Sequence, residues 1–532
     1  MEPVRNLALT AGPGAGKTEM LAQRADFLLR TGLCRYPQRI LAISFKVDAS
    51  RNLARRVKLR CGNVLAARFD SQTFHGFAKR LIDRFRLVLS GKDALDADYT
   101  IGDQRITHRQ ITFADLIPLA CHIVKASAVA RNAIHATYTD VLCDEFQDCN
   151  GSQYELLRLA CGGAQMRVCA VGDTKQRIMG WAGALEGIFV RFAEDFDALP
   201  LNLYRNFRSQ PRLLRMQNEM IKTLDPKAVM AGADISGEGG VIKVLSFDTD
   251  QEEADSVATL IHTWIRDENV APSEIAVLVS KQAEHYAAHL IAALRTAGVA
   301  CRNDQQLQDL AAEPFTCLLV DYLLVLYGSR EPGAYSRVMD ILTAEAWDDQ
   351  EEAALRTKWQ RIIRDERLHA GQPGGAADDI DAVWRRAKAF LLHCGKALLI
   401  SLSPDYESIP RLREVMAETR KRLTEMLEVQ PSIPEALHLM SGERSVRIMT
   451  IHKSKGLEFD SVVLLAVENE TYWGKAEEER CAFFVGMARA KRRLLLTHSE
   501  SRERPVGMGG QWRVARTKHA EFLGYADPHL SA

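Results

Sequence analysis

The chain has 532 residues and lacks any long hydrophobic run. No stretch reaches the roughly 18 uncharged apolar residues of a membrane span, so no membrane partner is expected. The first apolar stretch, Leu7 to Thr10, is too short for a secretory signal. An excess of charge of one sign is also missing, since Lys+Arg 69 balances Asp+Glu 69. That balance neither requires nor excludes nucleic acid, because a local basic groove is enough to bind it. Cysteine number 11 but stand singly, with no Cys-x-x-Cys pair. A zinc ribbon or an iron–sulfur cluster is therefore not expected, and reduced thiols in a cytoplasmic protein fit best. No internal repeat is visible. The length exceeds what one core can serve and predicts roughly three or four domains.

What the chain does have begins almost at its start, with Ala11-Gly12-Pro13-Gly14-Ala15-Gly16-Lys17-Thr18. An apolar run leads in and a helical pattern leads out, which is strand, glycine-rich loop, helix. Gly12, Gly14 and Gly16, with small Ala15, let backbone N–H groups turn inward around a phosphate. Lys17 can reach the β and γ phosphates, and the Thr18 hydroxyl can hold Mg²⁺. The helix N-terminus adds its positive dipole. The loop by itself predicts a bound nucleoside triphosphate and nothing about the work done with it.

Further along, Arg39 to Phe45 is a β-rich apolar run, followed by a helical pattern from Arg51 to Leu59. From about Leu81 to Thr137 the pattern weakens and reads as an inserted subdomain. Strand character returns at Val141 to Cys143 and at Arg167 to Val171. A second α/β unit starts near Pro200, with strands predicted at Val241–Leu245, Ile275–Val279, Val446–Thr450, Ser461–Val467 and Leu494–Thr497 and helices at Gln251–Arg266 and His285–Arg295. The segment from about Pro314 to Leu439 is helical and reads as a second insertion. Residues after Ser501 read as a docking tail or a loose end. Short strands alternating with helices predict parallel, doubly wound sheets, whose ligands sit at the carboxyl ends of the strands.

Several chemistry-bearing residues fall at such ends. Asp144 and Glu145 close an apolar strand. Triphosphate hydrolysis needs one carboxylate on Mg²⁺ and a second group to orient the attacking water, so Asp144 is assigned to the metal and Glu145 to the water. Gln176 follows the next strand, where its amide could sense a γ-phosphate or serve as a polar turn. Arg208 and Arg489 are candidates for neutralising transition-state charge across a cleft, although a lone Arg is more often a solvated surface residue. Phe45, Phe74, His75 and Trp181 are aromatic groups near strand ends. They suit stacking on the bases of a single strand, and equally suit core packing. Thr450 and His452 could likewise be ordinary strand-end polar residues.

The order of these pieces resembles the UvrD/Rep type of superfamily 1 DNA helicases. The matching segments are AGPGAGKT (11–18), ILAISF (40–45), TFHGFAKRL (73–81), LCDEFQD (142–148), VGDTKQRIMGWAGA (171–184), NFRS (206–209), MTIHKSKGLEFDSVVL (449–464) and EEERCAFFVGMARAKRRL (477–494). The resemblance implies an α/β fold of two RecA-like P-loop domains, each a parallel doubly wound sheet, with two mainly helical inserted subdomains. The first motor domain is expected over 1–84 and 137–199 with an insertion at 85–136, and the second over 200–312 and 441–500 with an insertion at 313–440. A tail covers 501–532.

ATP would then lie between the motor domains, with Lys17 and Thr18 on its phosphates and Mg²⁺. Gln176, Arg208 and Arg489 would contact the γ-phosphate, Phe207 would stack on adenine and Glu458 would contact the ribose. Phe45, Thr73, His75, Trp181, Thr450 and His452 match positions that face single-stranded DNA in relatives. The implied activity is ATP-driven 3′–5′ movement on single-stranded DNA or DNA with a 3′ tail, in repair or anti-phage defence. Departures from the family pattern are Lys46-Val47-Asp48, Arg177 and Met179, and the absence of a Gln among the ten residues before Ala11. Compactness and layout are similar to the helicase-like subunits that work beside an OLD-family nuclease in Gabija-type systems. That similarity motivates the alternative of a regulatory DNA-sensing ATPase with a nuclease partner and little unwinding.

Overall fold

The computed structural model describes residues 5–45, 47–178, 183–203, 205–344, 349–370, 380–403, 406, 409–429, 432–505 and 508–531. The strands in chain order are β1 (Leu7–Ala11), β2 (Arg39–Ser44), β3 (Phe69–Thr73), β4 (Leu95–Ile101), β5 (His108–Ile111), β6 (Tyr138–Cys143), β7 (Arg167–Gly172), β8 (Leu199–Leu203), β9 (Val241–Thr249), β10 (Ile275–Val279), β11 (Cys301–Asn303), β12 (Val446–Thr450), β13 (Phe459–Leu464) and β14 (Ala490–Ser501). Two six-stranded sheets carry the fold, in the orders β3-β2-β6-β7-β1-β8 and β11-β12-β10-β13-β14-β9. Every pairing within them is parallel.

The sequence explains why these strands sit where they do. Central strands such as β6, β7, β10 and β13 are almost wholly buried, as parallel strands covered by helices on both faces must be. The edge strand β8 instead alternates half-buried and exposed residues and contains Pro200, which an edge tolerates. Each sheet separates two apolar layers. The first lies between one core that includes Leu21, Leu28, Leu53 and Cys169 and another that includes Phe77, Val141 and Phe192. The second lies between cores that include Met216, Phe483 and Phe484 on one face and Val257, Ile261 and Leu290 on the other.

The two inserted regions differ in how they are built. Between the helix Phe74–Phe85 and β6, helices Leu116–Ala126 and Ala128–Thr137 stand beside a short β4–β5 pair, so this region is not purely helical. Ile111, Leu119, Ile123 and Ile134 share one continuous core with the first sheet. The region after β11 is helical and has a core of its own, with Phe315, Leu323, Trp384, Phe390 and Leu437 buried together.

Three expectations need correction. The second α/β unit does not start near Pro200, because Pro200 lies in β8, which pairs with β1 as the edge of the first sheet. The single helix expected over His285–Arg295 is two, Ala283–Tyr286 and Ala288–Thr296. The segment after Ser501 is neither loose nor free to dock elsewhere. Phe522, Leu523 and Ala526 are buried against the second sheet, His519 N donates to Val467 O (3.0 Å) and Ser531 N donates to Ile242 O (2.9 Å). Arg502 is buried between Glu253 and Glu468 and ties the start of this segment to the sheet. Among the described residues no single helix is long and apolar enough to cross a membrane.

A candidate ATPase cleft and strand-end surface

The glycine-rich loop joins β1 to the helix Lys17–Arg30, and Gly14 and Gly16 take φ of 65° and 80°. A side chain at Gly14 would be doubly penalised. Its φ is left-handed, and a Cβ would lie 2.2 Å from Asn206 Oδ1 and 2.6 Å from the Arg208 Cβ. The loop is thus packed directly against the Asn206–Ser209 segment, and Phe207 N donates to Gly14 O (2.9 Å). Lys17 is buried, and among the described residues its Nζ donates only long bonds to Ala11 O (3.4 Å) and Gly12 O (3.3 Å). An ammonium so weakly held can turn to a phosphate.

Thr18 Oγ1 donates to Asp144 Oδ2 (3.3 Å). A hydroxyl and a carboxylate are hard oxygen donors of the kind Mg²⁺ takes while keeping waters and substrate phosphates as its other ligands. Among the described residues no cluster of three or more His, Cys, Asp or Glu could cage a metal by itself. Burial pushes the Asp144 carboxyl up to about 7, helped by the neighbouring Glu145 charge and opposed by Lys17. Burial also acts on Glu145, but Lys17, Lys455 and the Gln147 amide outweigh it and hold Glu145 below the usual carboxylate range. Of the two, Glu145 keeps the charge. It also takes φ 51°, a left-handed conformation that costs a non-glycine residue about 1 kcal/mol or more.

From Glu145 a line of hydrogen bonds crosses to the second motor domain. Gln147 Nε2 donates to Glu145 Oε2 (2.6 Å), and Gln147 Oε1 accepts from Asp173 N (2.9 Å). Gln176 Nε2 donates to Asp173 Oδ2 (2.8 Å), and Gln176 Oε1 accepts from Arg489 NH2 (2.6 Å). Arg489 is buried, and its other donors go to Val485 O (2.8 Å) and Leu457 O (3.1 Å). Burial and the nearby Arg208 lower its pKa to about 9. Arg208 Nε donates to Glu458 Oε2 (2.7 Å) and its NH1 to Ala488 O (3.0 Å). Asp144, Glu145, Gln176, Arg208, Glu458, Arg489 and the loop therefore border one cleft. Phe207 stands at its rim, 70 % exposed, with the Arg205 guanidinium 5.0 Å from its ring centre.

Reading residues one by one missed several members of this cleft. Lys455 is buried, bonds Asp148 and donates to Gln176 O (3.0 Å), bridging the two motor domains. Gln147 and Asp173 carry the central links, and Asn206 Oδ1 accepts from Arg208 N (2.7 Å). All of them stood inside motif segments already recognised, so their signal was position within a motif rather than residue type.

The candidate nucleic-acid residues lie at the carboxyl ends of β2, β3 and β12. Phe45 is half-buried just past β2. Thr73 Oγ1 accepts from Gly76 N (3.0 Å) and caps the next helix, so its hydroxyl is already engaged. His75 is half-buried and stacked on Phe113 (ring centres 4.1 Å apart, 25° between planes), which covers one of its faces. Burial lowers its pKa. Phe74 belongs to the core. Thr450 Oγ1 donates to Gln305 Oε1 (3.2 Å), and His452 is half-buried beyond it. Trp181, Lys46 and Met179 lie outside the described residues.

Comparison with known proteins agrees with this layout. The UvrD/REP helicase N-terminal domain matches residues 2–106 and 90–197, and the UvrD-like helicase C-terminal domain matches residues 201–309 and 399–501. The chain is 27% identical to DNA helicase II of Escherichia coli (strain K12), over 94% of this chain and 83% of that protein. It is 25% identical to DNA helicase II of Haemophilus influenzae, over 94% and 83%, and 24% identical to the ATP-dependent DNA helicase PcrA of Leuconostoc citreum, over 93% and 80%. With both family domains matched in order over most of its length, the chain belongs to the UvrD-like superfamily 1 helicases, the ATP-dependent DNA helicases.

Proposed function

We propose that this protein translocates 3′ to 5′ on single-stranded DNA, drawing on ATP hydrolysed between its two motor domains. The observation that supports this most is the continuous line from Glu145 through Gln147, Asp173 and Gln176 to Arg489, since it ties hydrolysis chemistry on one sheet to a cation on the other.

In this reading Lys17 takes the β and γ phosphates, and Thr18 with Asp144 holds the Mg²⁺. Held there, the cation would supply charge neutralisation. Glu145, kept ionised by Lys17 and Lys455, orients the attacking water. Arg208 and Arg489 exchange part of their present partners, Glu458 and Gln176, for the γ-phosphate. Phe207 stacks on the base and Glu458 contacts the ribose. Gln176 and Arg489, which now bond each other across the domains, would part to take a γ-phosphate, and that exchange would couple turnover to opening and closing of the cleft. Phe45, Thr73, His75, Trp181, Thr450 and His452 face the DNA.

The test is ATP turnover with and without single-stranded DNA, followed by unwinding of duplexes with a 3′ or a 5′ tail. Stimulated turnover with unwinding from the 3′ tail is expected. Turnover indifferent to any single strand would overturn the proposal. Stimulation without strand separation would move it to a regulatory ATPase acting with a nuclease of the OLD family.

A further inference from the structure

Glu274, Glu458 and Lys491 stand at the amino ends of β10, β13 and β14, neighbouring parallel strands of the second sheet. Ile275 is in register with Ser461 and Phe459 with Ala490, so the three residues share one end of the sheet, opposite to the end that carries Thr450. Glu458 already borders the ATP cleft there, and the backbone around it is fixed. Ser209 Oγ donates to Ala490 O (2.8 Å), Gln210 N donates to Lys491 O (2.8 Å) and Phe459 N donates to Arg489 O (2.9 Å). Lys491 is thus stitched to the two segments that carry Arg208 and Glu458.

Glu458 has a cation at each carboxylate oxygen. Arg208 Nε donates to Oε2 (2.7 Å), and Lys491 Nζ lies 3.5 Å from Oε1. Burial raises the Glu458 pKa, but Arg208 and then Lys491 outweigh it and hold the carboxyl below the usual range. Lys491 has an anchor of its own, since its Nζ also donates to Glu274 Oε2 (3.2 Å). If Arg208 leaves for the γ-phosphate, Oε2 is released to accept from a sugar hydroxyl while Lys491 stays on Oε1.

We infer that Lys491, anchored by Glu274, is a positioning residue for the nucleotide sugar: it keeps the Glu458 carboxylate aimed at a ribose hydroxyl once Arg208 has moved, and so makes the cleft favour ribonucleotides over their deoxy analogues. The inference rests on the reading of Glu458 as the ribose contact. A carboxylate placed to accept from a hydroxyl rejects a sugar that lacks it, because the oxygen is left unpaired. That rejection needs a carboxylate held in one place, and the half-exposed Glu458 would otherwise turn to water.

Steady-state turnover of the full-length protein with ATP, 2′-deoxy-ATP and 3′-deoxy-ATP at saturating Mg²⁺ tests this. Wild type should prefer ATP to at least one analogue by about tenfold in kcat/KM. Lys491→Met should raise KM for ATP about fivefold with kcat little changed, and shrink the preference to about twofold. Lys491→Arg should restore most of both. Glu274→Gln should move both in the same direction by a smaller factor, and it carries the test if thermal midpoints show that Lys491→Met misfolds. Wild-type KM and preference in Lys491→Met and Glu274→Gln overturn the inference, and so does an equal loss with all three nucleotides. Glu458→Ala tells the two levels apart. If it abolishes the preference while Lys491→Met does not lower it, the ribose contact stands and the role of Lys491 falls. If wild type shows no preference, or Glu458→Ala keeps it, both fall.

Discussion

Two adjacent carboxyl groups share a buried site, and the chemistry of the cleft depends on which one is charged. Asp144 is pushed up to about 7 by burial and by Glu145, while Lys17, Lys455 and Gln147 keep Glu145 ionised. Glu145→Gln should leave ATP binding intact and lower turnover by about 10²–10⁴-fold, the usual span for a lost acid–base group, checked by parallel binding and hydrolysis assays. Lys17→Ala should abolish turnover in the same assays. The raised Asp144 value has a sign that can be worked out. Below about pH 7 the metal-free carboxyl keeps its proton, and a cation must displace it. The Mg²⁺-dependent part of ADP affinity should therefore grow from about pH 6 to about pH 8, with proton release measurable by calorimetry in buffers of different ionisation enthalpy. Asp144→Asn should flatten that dependence.

Strand ends do the positioning, and glycine lets them come close. At the end of β7, a Cβ on Gly172 would lie 2.1 Å from Gln147 Oε1, the atom that accepts from Asp173 N, and 3.0 Å from the Phe189 ring. Gly172→Ala should displace Gln147 and break the line between Glu145 and Gln176. Losing one buried hydrogen bond of about 1–3 kcal/mol predicts turnover lower by about tenfold with ATP affinity little changed, read from kcat and KM together. The apolar runs of β2, β6, β7, β10 and β12 were legible from the sequence, because a buried parallel strand needs uninterrupted apolar residues. The break between Ala283–Tyr286 and Ala288–Thr296 was not legible. Nothing in the apolar spacing marks it: the chain leaves helical geometry at Ala287 alone, at φ −98° and ψ 8°, an ordinary conformation for an alanine.

At the scale of the molecule, the second motor domain is closed by its own C-terminal segment. Arg502 is buried with Glu253 and Glu468, and Arg516 lies over the Trp512 ring (4.2 Å) and the Tyr286 ring (5.5 Å). Removing one member of a buried ion cluster leaves the others uncompensated. Arg502→Ala should destabilise the second motor domain by about 3–5 kcal/mol in denaturant unfolding, while Arg502→Lys should lose less. Across the cleft, Arg489→Ala should bind ATP but no longer couple hydrolysis to DNA, because Gln176 loses the partner that spans the two domains.

The sequence by itself determined the phosphate loop, the strand that ends in Asp144 and Glu145, the order of the motifs and the presence of two α/β units. Each of these is local: a glycine spacing, an apolar run, a charge at the end of a run. Only the tertiary structure decided that Lys455 bridges Asp148 and Gln176, that the Asn206 amide packs onto Gly14, and that the final residues cover a sheet instead of trailing from it. Those contacts join residues far apart in the chain, and their partners are chosen by how two sheets are set against each other. Burial then gives the same residue types different charges, which no spacing along the chain encodes.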